Sequence, residues 1–310
     1  VRRAVIGVVG PTASGKSALA VALARAFNGE IVSCDSTAVY RGLDIGTDKP
    51  SDADRAAVPH HLIDVAAPTE VYSAARYAQD TGRAIHDITG RGRLPIVAGG
   101  TGFYYRALVR GLFPGPARDE ALRARLDRVA ARRGVEALHR WLTRVDPASA
   151  RRIQPRDRKR LVRALEVYLL TGRPLTDHFE ETQSAIPGFA VQTLGVALPR
   201  PVLRARVSAR VDEQLARGVV QEVERLIAAG APDSAHAFSG LVYRQIMDMR
   251  RGLRGLAETR DLIIQENMRY ARRQLTWFRK EPGVVWLAGG GESAAVQDEA
   301  RAVVERFLRD

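Results

Sequence analysis

Apolar and polar positions follow a pattern that changes twice along the chain. A short apolar run, Ala4–Val9 (AVIGVV), meets a glycine-rich turn and then helical spacing over 16–27. A second apolar run at 30–34 (EIVSC) stops at Asp35. Residues 73–90 return to helical spacing, and a third run at 94–98 (LPIVA) breaks at Gly99-Gly100. This alternation of strand and helix over the first 110 residues predicts a parallel sheet wrapped by helices. After Leu112-Phe113-Pro114-Gly115-Pro116 the period changes. From Asp119 to about Gly172 only amphipathic helices are predicted, broken at Asp146-Pro147 and Gln154-Pro155. A strand returns at 191–198 (VQTLGVAL), followed by helices to Lys280, a short strand at 284–287 and a terminal helix.

The first turn carries chemistry. Gly10-Pro11-Thr12-Ala13-Ser14-Gly15-Lys16-Ser17 matches G-x-x-x-x-G-K-[ST] between a predicted strand and a predicted helix. Backbone N–H groups of such a loop wrap a phosphate, the helix N-terminus adds positive potential, Lys16 adds a point charge and Ser17 offers a hydroxyl to Mg²⁺. The predicted fold class is therefore α/β, a P-loop parallel-sheet core of the nucleoside triphosphate hydrolase kind. Residues 1–115 and 191–310 form the core, and an all-helical insertion occupies 116–190.

Two further positions lie at predicted strand ends, where α/β sheets hold their ligands. Asp35 can serve as a general base beside the phosphates or cap the next turn, and position alone does not choose. Gly99-Gly100-Thr101-Gly102 suits either a tight turn or a close backbone approach with a donating hydroxyl. Nucleotide-hydrolysing engines place a Mg²⁺-holding Asp at the end of an apolar strand. The run at 94–98 ends in glycines instead, and Asp64 of HLID is a weak substitute that equally suits a cap.

Charge sharpens the picture only by where it lies. The 310 residues carry 48 Lys+Arg against 35 Asp+Glu, a net charge of +13; the stretch 116–190 holds +6 of it, 1–115 holds +3 and 191–310 holds +4. A basic surplus attracts a phosphate-rich partner such as a nucleic acid. Coding bias explains the same skew, since only Lys16, Lys49, Lys159 and Lys280 are lysines. An apolar fraction of 45% excludes a disordered chain. No apolar run reaches the roughly 20 residues of a membrane span. Val1-Arg2-Arg3 runs straight into a strand, which predicts no signal peptide. The single cysteine, Cys34, excludes an intramolecular disulfide and a cysteine zinc module and fits a cytoplasmic protein.

Taken together, GPTASGKS at 10–17, Asp35-Ser36 with Tyr40, DIGTDKP at 44–50, PHHLID at 59–64, YSAARY at 72–77 and GGTGFYYRAL at 99–108 resemble the tRNA dimethylallyltransferase family. RLVRALEVYLLTGRPL at 160–175, VYRQ at 242–245 and RRQLTWFRK at 272–280 extend the resemblance over nearly the whole chain. It implies transfer of a dimethylallyl group from dimethylallyl diphosphate to N6 of the adenine on the 3′ side of the anticodon, in tRNAs reading codons that begin with U. The loop would then hold the donor's diphosphate with Mg²⁺ at Ser17, assisted by Thr101 and Arg210, and Asp35 would be the base. The resemblance further implies tRNA contacts from Asp35, Ser36, Thr37, Ala38, Thr101, Arg123, Lys159, Arg160, Leu161, Val162 and Arg163. A second group comprises Ser239, Tyr243, Arg244, Arg272, Arg273, Gln274, Trp277 and Arg279. A monomer of the bacterial type is expected, without the zinc finger of eukaryotic members and with no membrane partner. The chain departs from the family pattern at Ala38, where Gln is usual, at Gln154-Pro155-Arg156-Asp157 in place of H-P-N-D, and at Val242 in place of Gly. The competing reading is a small-molecule kinase that binds ATP in the same loop and uses Asp35 to activate a hydroxyl.

Overall fold

The computed structural model describes residues 3–310; Val1 and Arg2, which enter the signal-peptide reading, lie outside the described residues. Six parallel strands, β1 (Ala4–Val9), β2 (Gly29–Cys34), β3 (His60–His61), β4 (Leu94–Gly99), β5 (Ala190–Ala197) and β6 (Val284–Ala288), form one sheet in the order β3-β2-β4-β1-β5-β6. All six residues of β1 are buried, as a central strand covered on both faces requires. Ile6 and Val8 pack with Leu19 and Leu23 of helix α1 (Lys16–Ala26), while Val296 and Val304 of the terminal helix close the same core.

The parallel register brings three strand ends to one edge. Val9 pairs with Gly99, and Cys34 pairs with Gly99 from the other side. The loops that follow β1, β2 and β4 therefore leave the sheet together, beside the strand-order reversal where such sheets bind ligands. Pairing, more than composition, sets the strand limits. Ala190 joins β5 because it faces Ala4, one residue ahead of the predicted start, and the two-residue β3 is formed only by its register with Ile31 and Val32.

Four helices carry side chains toward this edge. They are α10 (Arg200–Ala216), α11 (Val219–Ala228), α12 (Leu241–Arg250) and α13 (Leu256–Phe278), and α13 packs against both α10 and α12. The intervening helices are α2 (Asp52–Ala57), α3 (Ala74–Gly90), α4 (Gly102–Val109) and the five helices of a separate compact unit.

That unit is Arg110–Ser184, whereas the stretch predicted from the change of period was 116–190. It contains α5 (Glu120–Arg133), α6 (Val135–Val145), α7 (Pro147–Arg152), α8 (Arg158–Thr171) and α9 (Leu175–His178), around Leu126, Leu138, Leu142, Leu161 and Leu165. Its limits follow chain pairing, since Leu112 bridges Gln183 across the unit's two ends. In its interior the Glu166 side chain is fully enclosed. Arg123 donates to both of its oxygens at 2.8 Å, Arg163 donates at 2.8 Å, and the N–H of Asp119 donates at 2.9 Å. Burial alone would raise this carboxyl, but the donors together outweigh it and hold it at about 2, below the ordinary 4.5. The unfolded chain takes up a proton near the ordinary value while the folded unit resists, so stability falls as pH drops from about 4.5 toward 2. Glu166→Gln should remove this acid sensitivity and lower the melting temperature at neutral pH, because two guanidinium groups lose their counter-ion. Thermal melts between pH 2 and 7 check both expectations.

Candidate active site

The loop after β1 closes on itself through local geometry. Gly15 has φ +86°, and a Cβ there would meet the backbone N of Gly291 at 2.7 Å and the Glu292 carboxylate, so only glycine fits. The N–H of Gly291 donates to the carbonyl of Ser14 at 3.1 Å, which ties the outer side of the loop to the turn after β6. On the inner side, Thr12 and Lys16 line a cavity of about 290 Å³ with Ser17, Asp35, Ala38, Asp48, Arg210, Asn267 and Tyr270.

Two cations face one another in this cavity. Among the described residues the Lys16 ammonium donates only to the Pro11 carbonyl, at 3.2 Å. Arg210, on α10, donates to Thr12 Oγ1 at 2.9 Å and is ion-paired with Asp48. Burial and then the neighbouring Arg210 charge bring the Lys16 ammonium from 10.5 down to about 8, against the upward pull of Asp35. Burial also lowers the pKa of Arg210. Two desolvated cations beside Asp35 and Asp48 make a site for a compact polyanion.

Asp35 caps its turn and also lines the cavity. Its Oδ1 caps the turn, accepting from Thr37 N at 2.8 Å, Thr37 Oγ1 at 2.7 Å and Ala38 N at 3.3 Å. Its Oδ2 has no hydrogen-bond partner among the described residues. Three donors on one oxygen fix the carboxylate plane and leave the other oxygen for a ligand. Beside it, Cys34 is fully buried and its thiol is pushed up to about 12 by burial, so it is inert as a nucleophile.

The glycine turn after β4 is a close approach as well as a turn. A Cβ on Gly100 would run into the Gln274 side chain. Gln274, on α13, receives the N–H of Thr12 at 2.9 Å and donates to the Gly100 carbonyl at 2.9 Å. It is thus a strut between two of the loops, buried to 5% exposure. Thr101 accepts from Ser36 N at 3.1 Å, and its hydroxyl lies 3.5 Å from Ser36 Oγ. Thr101 holds the Asp35-Ser36 turn and does not line the cavity.

Asp64 is committed elsewhere. Burial would raise its carboxyl, but Lys49 at 2.5 Å and Arg55 at 3.0 Å together keep it low. The same Lys49 reaches Asp44 at 2.6 Å and the Tyr40 carbonyl at 2.6 Å. Among the described residues no group of three or more His, Cys, Asp or Glu could hold a metal. A cation of the Mg²⁺ kind, which keeps most of its waters, still fits beside Ser17 and the phosphates that Lys16 would hold.

The other expected positions separate into two kinds. Exposed ones are Ser239, Arg244, Arg272, Arg273, Arg279, Lys159 and Arg160. Arg244 is paired with Glu266, and Arg160 lies 3.3 Å from Asp157. Enclosed ones are Tyr243, Leu161 and Val162. The hydroxyl of Tyr243 donates to Glu222 at 2.8 Å, while Leu161 and Val162 face the core of the helical unit and present no side chain to a partner. Arg123 and Arg163 spend their guanidinium groups on Glu166. Trp277 lies under Arg106, 4.3 Å from its ring centroid, and edge-on to Phe103.

Several contributors carried no role in the sequence reading. Glu222 accepts the N–H groups of Asp44 at 2.8 Å and Ile45 at 2.7 Å and so shapes the loop that presents Asp48. Asn267 and Tyr270 share the Gln274 face of α13. Their spacing of three and four residues is helical, a signal the sequence did contain.

The chain has clear relatives. A family model described as IPP transferase matches residues 38–281. The tRNA dimethylallyltransferase of Thermomicrobium roseum is 47% identical over 311 positions, covering 100% of this chain and 93% of that protein. That of an Anaeromyxobacter species is 49% identical, covering 91% and 93%. The solved tRNA isopentenylpyrophosphate transferase of Bacillus halodurans is similar with a TM-score of 0.70 at 35% identity, over 99% of this chain and 96% of that one. A eukaryotic dimethylallyltransferase acting on tRNA gives a TM-score of 0.80 at 26% identity, over 98% and 79%.

Proposed function

The chain belongs to the IPP transferase family, and from that premise we propose how its cavity carries out the family's reaction. The activity is prenylation of tRNA. The donor is dimethylallyl diphosphate, and the acceptor is N6 of the adenine on the 3′ side of the anticodon, in tRNAs that read codons beginning with U. The observation that carries this reading is the meeting of Lys16, Arg210 and Asp35 around one cavity of about 290 Å³.

In the reaction the C–O bond of the donor breaks and its electron pair leaves with the diphosphate. Lys16, Arg210 and the N–H groups of the loop stabilise that developing charge, the largest task available to fixed donors. Ser17 would hold Mg²⁺ beside the diphosphate, where the ion would supply further positive charge. The adenine N6 forms the new C–N bond and gives up one proton to Oδ2 of Asp35, since its lone pair is free for attack only as that proton leaves. Thr101 contributes by holding Ser36 and the turn that aims Asp35. An unpaired anticodon loop suits the enzyme because its bases can be extruded into a cavity at low cost. The exposed Arg272, Arg273, Arg279, Lys159 and Arg160 supply contacts to the RNA backbone.

Protein, Mg²⁺, an unmodified anticodon stem-loop and dimethylallyl diphosphate should yield prenylated adenosine by mass spectrometry together with free diphosphate. ATP turnover without prenylated RNA would overturn this reading in favour of phosphoryl transfer. The RNA affinity should also fall steeply with added salt as counterions are released. A flat salt titration would remove the arginines from the interface.

A further inference from the structure

The exocyclic amine of adenine has two N–H bonds, and transfer to Asp35 accounts for one. In an enclosed cavity the second needs an acceptor, because a buried donor left unpaired is costly. Two carboxamides on α13 line the cavity. Gln274 has both ends engaged, with Thr12 and Gly100. Asn267 has one: its Nδ2 donates to the Ile263 carbonyl at 2.9 Å. A carbonyl can only accept, so this bond settles which way the amide points. Its Oδ1 is left as an acceptor without a partner among the described residues.

We propose that Asn267 accepts the second N6 proton of the target adenine and so helps select an amino-bearing base. The proposal rests on tRNA prenylation as the activity. A second lining residue supports it. Ala38 lines the same cavity and offers only a methyl group, where the resembled family carries the amide of Gln. In this chain α13 supplies an amide that the turn after Asp35 does not. A fixed acceptor there favours adenine over bases that present a keto oxygen at the same edge, since two acceptors repel.

The test is equilibrium binding of two anticodon stem-loop RNAs, one with adenosine and one with purine ribonucleoside at the target position. The two differ only by the amine. Wild-type protein should prefer the adenosine RNA. In Asn267→Leu and Asn267→Ala that preference should shrink by about three- to tenfold, the worth of one neutral hydrogen bond. The melting temperature should stay unchanged; if the leucine variant fails to fold, the alanine variant decides. An undiminished preference in a folded variant, or no preference in the wild type, overturns the assignment. A wild type that prefers the amine yet transfers no prenyl group would refute the activity and leave this contact standing.

Discussion

Asp35→Asn is expected to lower kcat by about 10²- to 10⁴-fold, the usual contribution of a positioned general base, with little change in melting temperature. The separation of effects comes from the two oxygens. Oδ1 accepts from Thr37 and Ala38 and holds the turn, and the asparagine carbonyl can take over those bonds. Oδ2 is the proposed proton acceptor, and an NH₂ group in its place cannot serve. Asp35→Ala removes both functions, so it should lose the same rate and in addition about 1 kcal/mol of stability from the lost cap. Single-turnover kinetics beside thermal melts check the pair. Full transfer by the asparagine variant would reject Asp35 as the base.

Lys16→Met should cost about 10²- to 10³-fold in kcat/KM, in line with removal of a donor aimed at a developing oxyanion. It should do so mainly through the donor substrate, leaving RNA affinity close to wild type. The pH profile distinguishes a charge effect from lost shape. Burial and Arg210 set the Lys16 ammonium at about 8 in the free enzyme. A bound diphosphate favours its protonated form, so above that pH binding requires uptake of a proton. Donor affinity is therefore expected to decline as pH rises past about 8 in the wild type and to lose that decline in Lys16→Met. Calorimetric titration of diphosphate from pH 7 to 9.5 measures it. Equal slopes in the two proteins would rule out Lys16 as the titrating contact.

Much of the site was legible because a few residue types have few physical uses. Only glycine suits the left-handed Gly15 turn, and G-x-x-x-x-G-K-S between a strand and a helix leaves little besides a phosphate cradle. Asp35 was legible as a position, although its two roles could not be ranked until the hydrogen bonds to Thr37 and Ala38 were seen. Gln274 and Tyr243 show the converse. A motif marked both as partners for RNA, yet Gln274 is a strut between Thr12 and Gly100, and Tyr243 supports Glu222. A residue that holds a site and one that touches its ligand leave the same trace in a sequence.

The amino-acid pattern by itself determined the alternation of strand and helix, the phosphate loop, the all-helical stretch and the location of the basic surplus. Each of these depends on local period, local φ preference or charge count, and none needs a partner distant in sequence. Only the tertiary structure decided which cations reach the cavity. Arg210 comes from α10 to stand beside Lys16, whereas Arg123 and Arg163, equally basic on paper, are taken up by the buried Glu166. The difference is one of desolvation. Arg123 and Arg163 are neutralised by a carboxylate enclosed with them, while burial and the neighbouring Arg210 charge loosen the hold of Lys16 on its proton until an anion arrives.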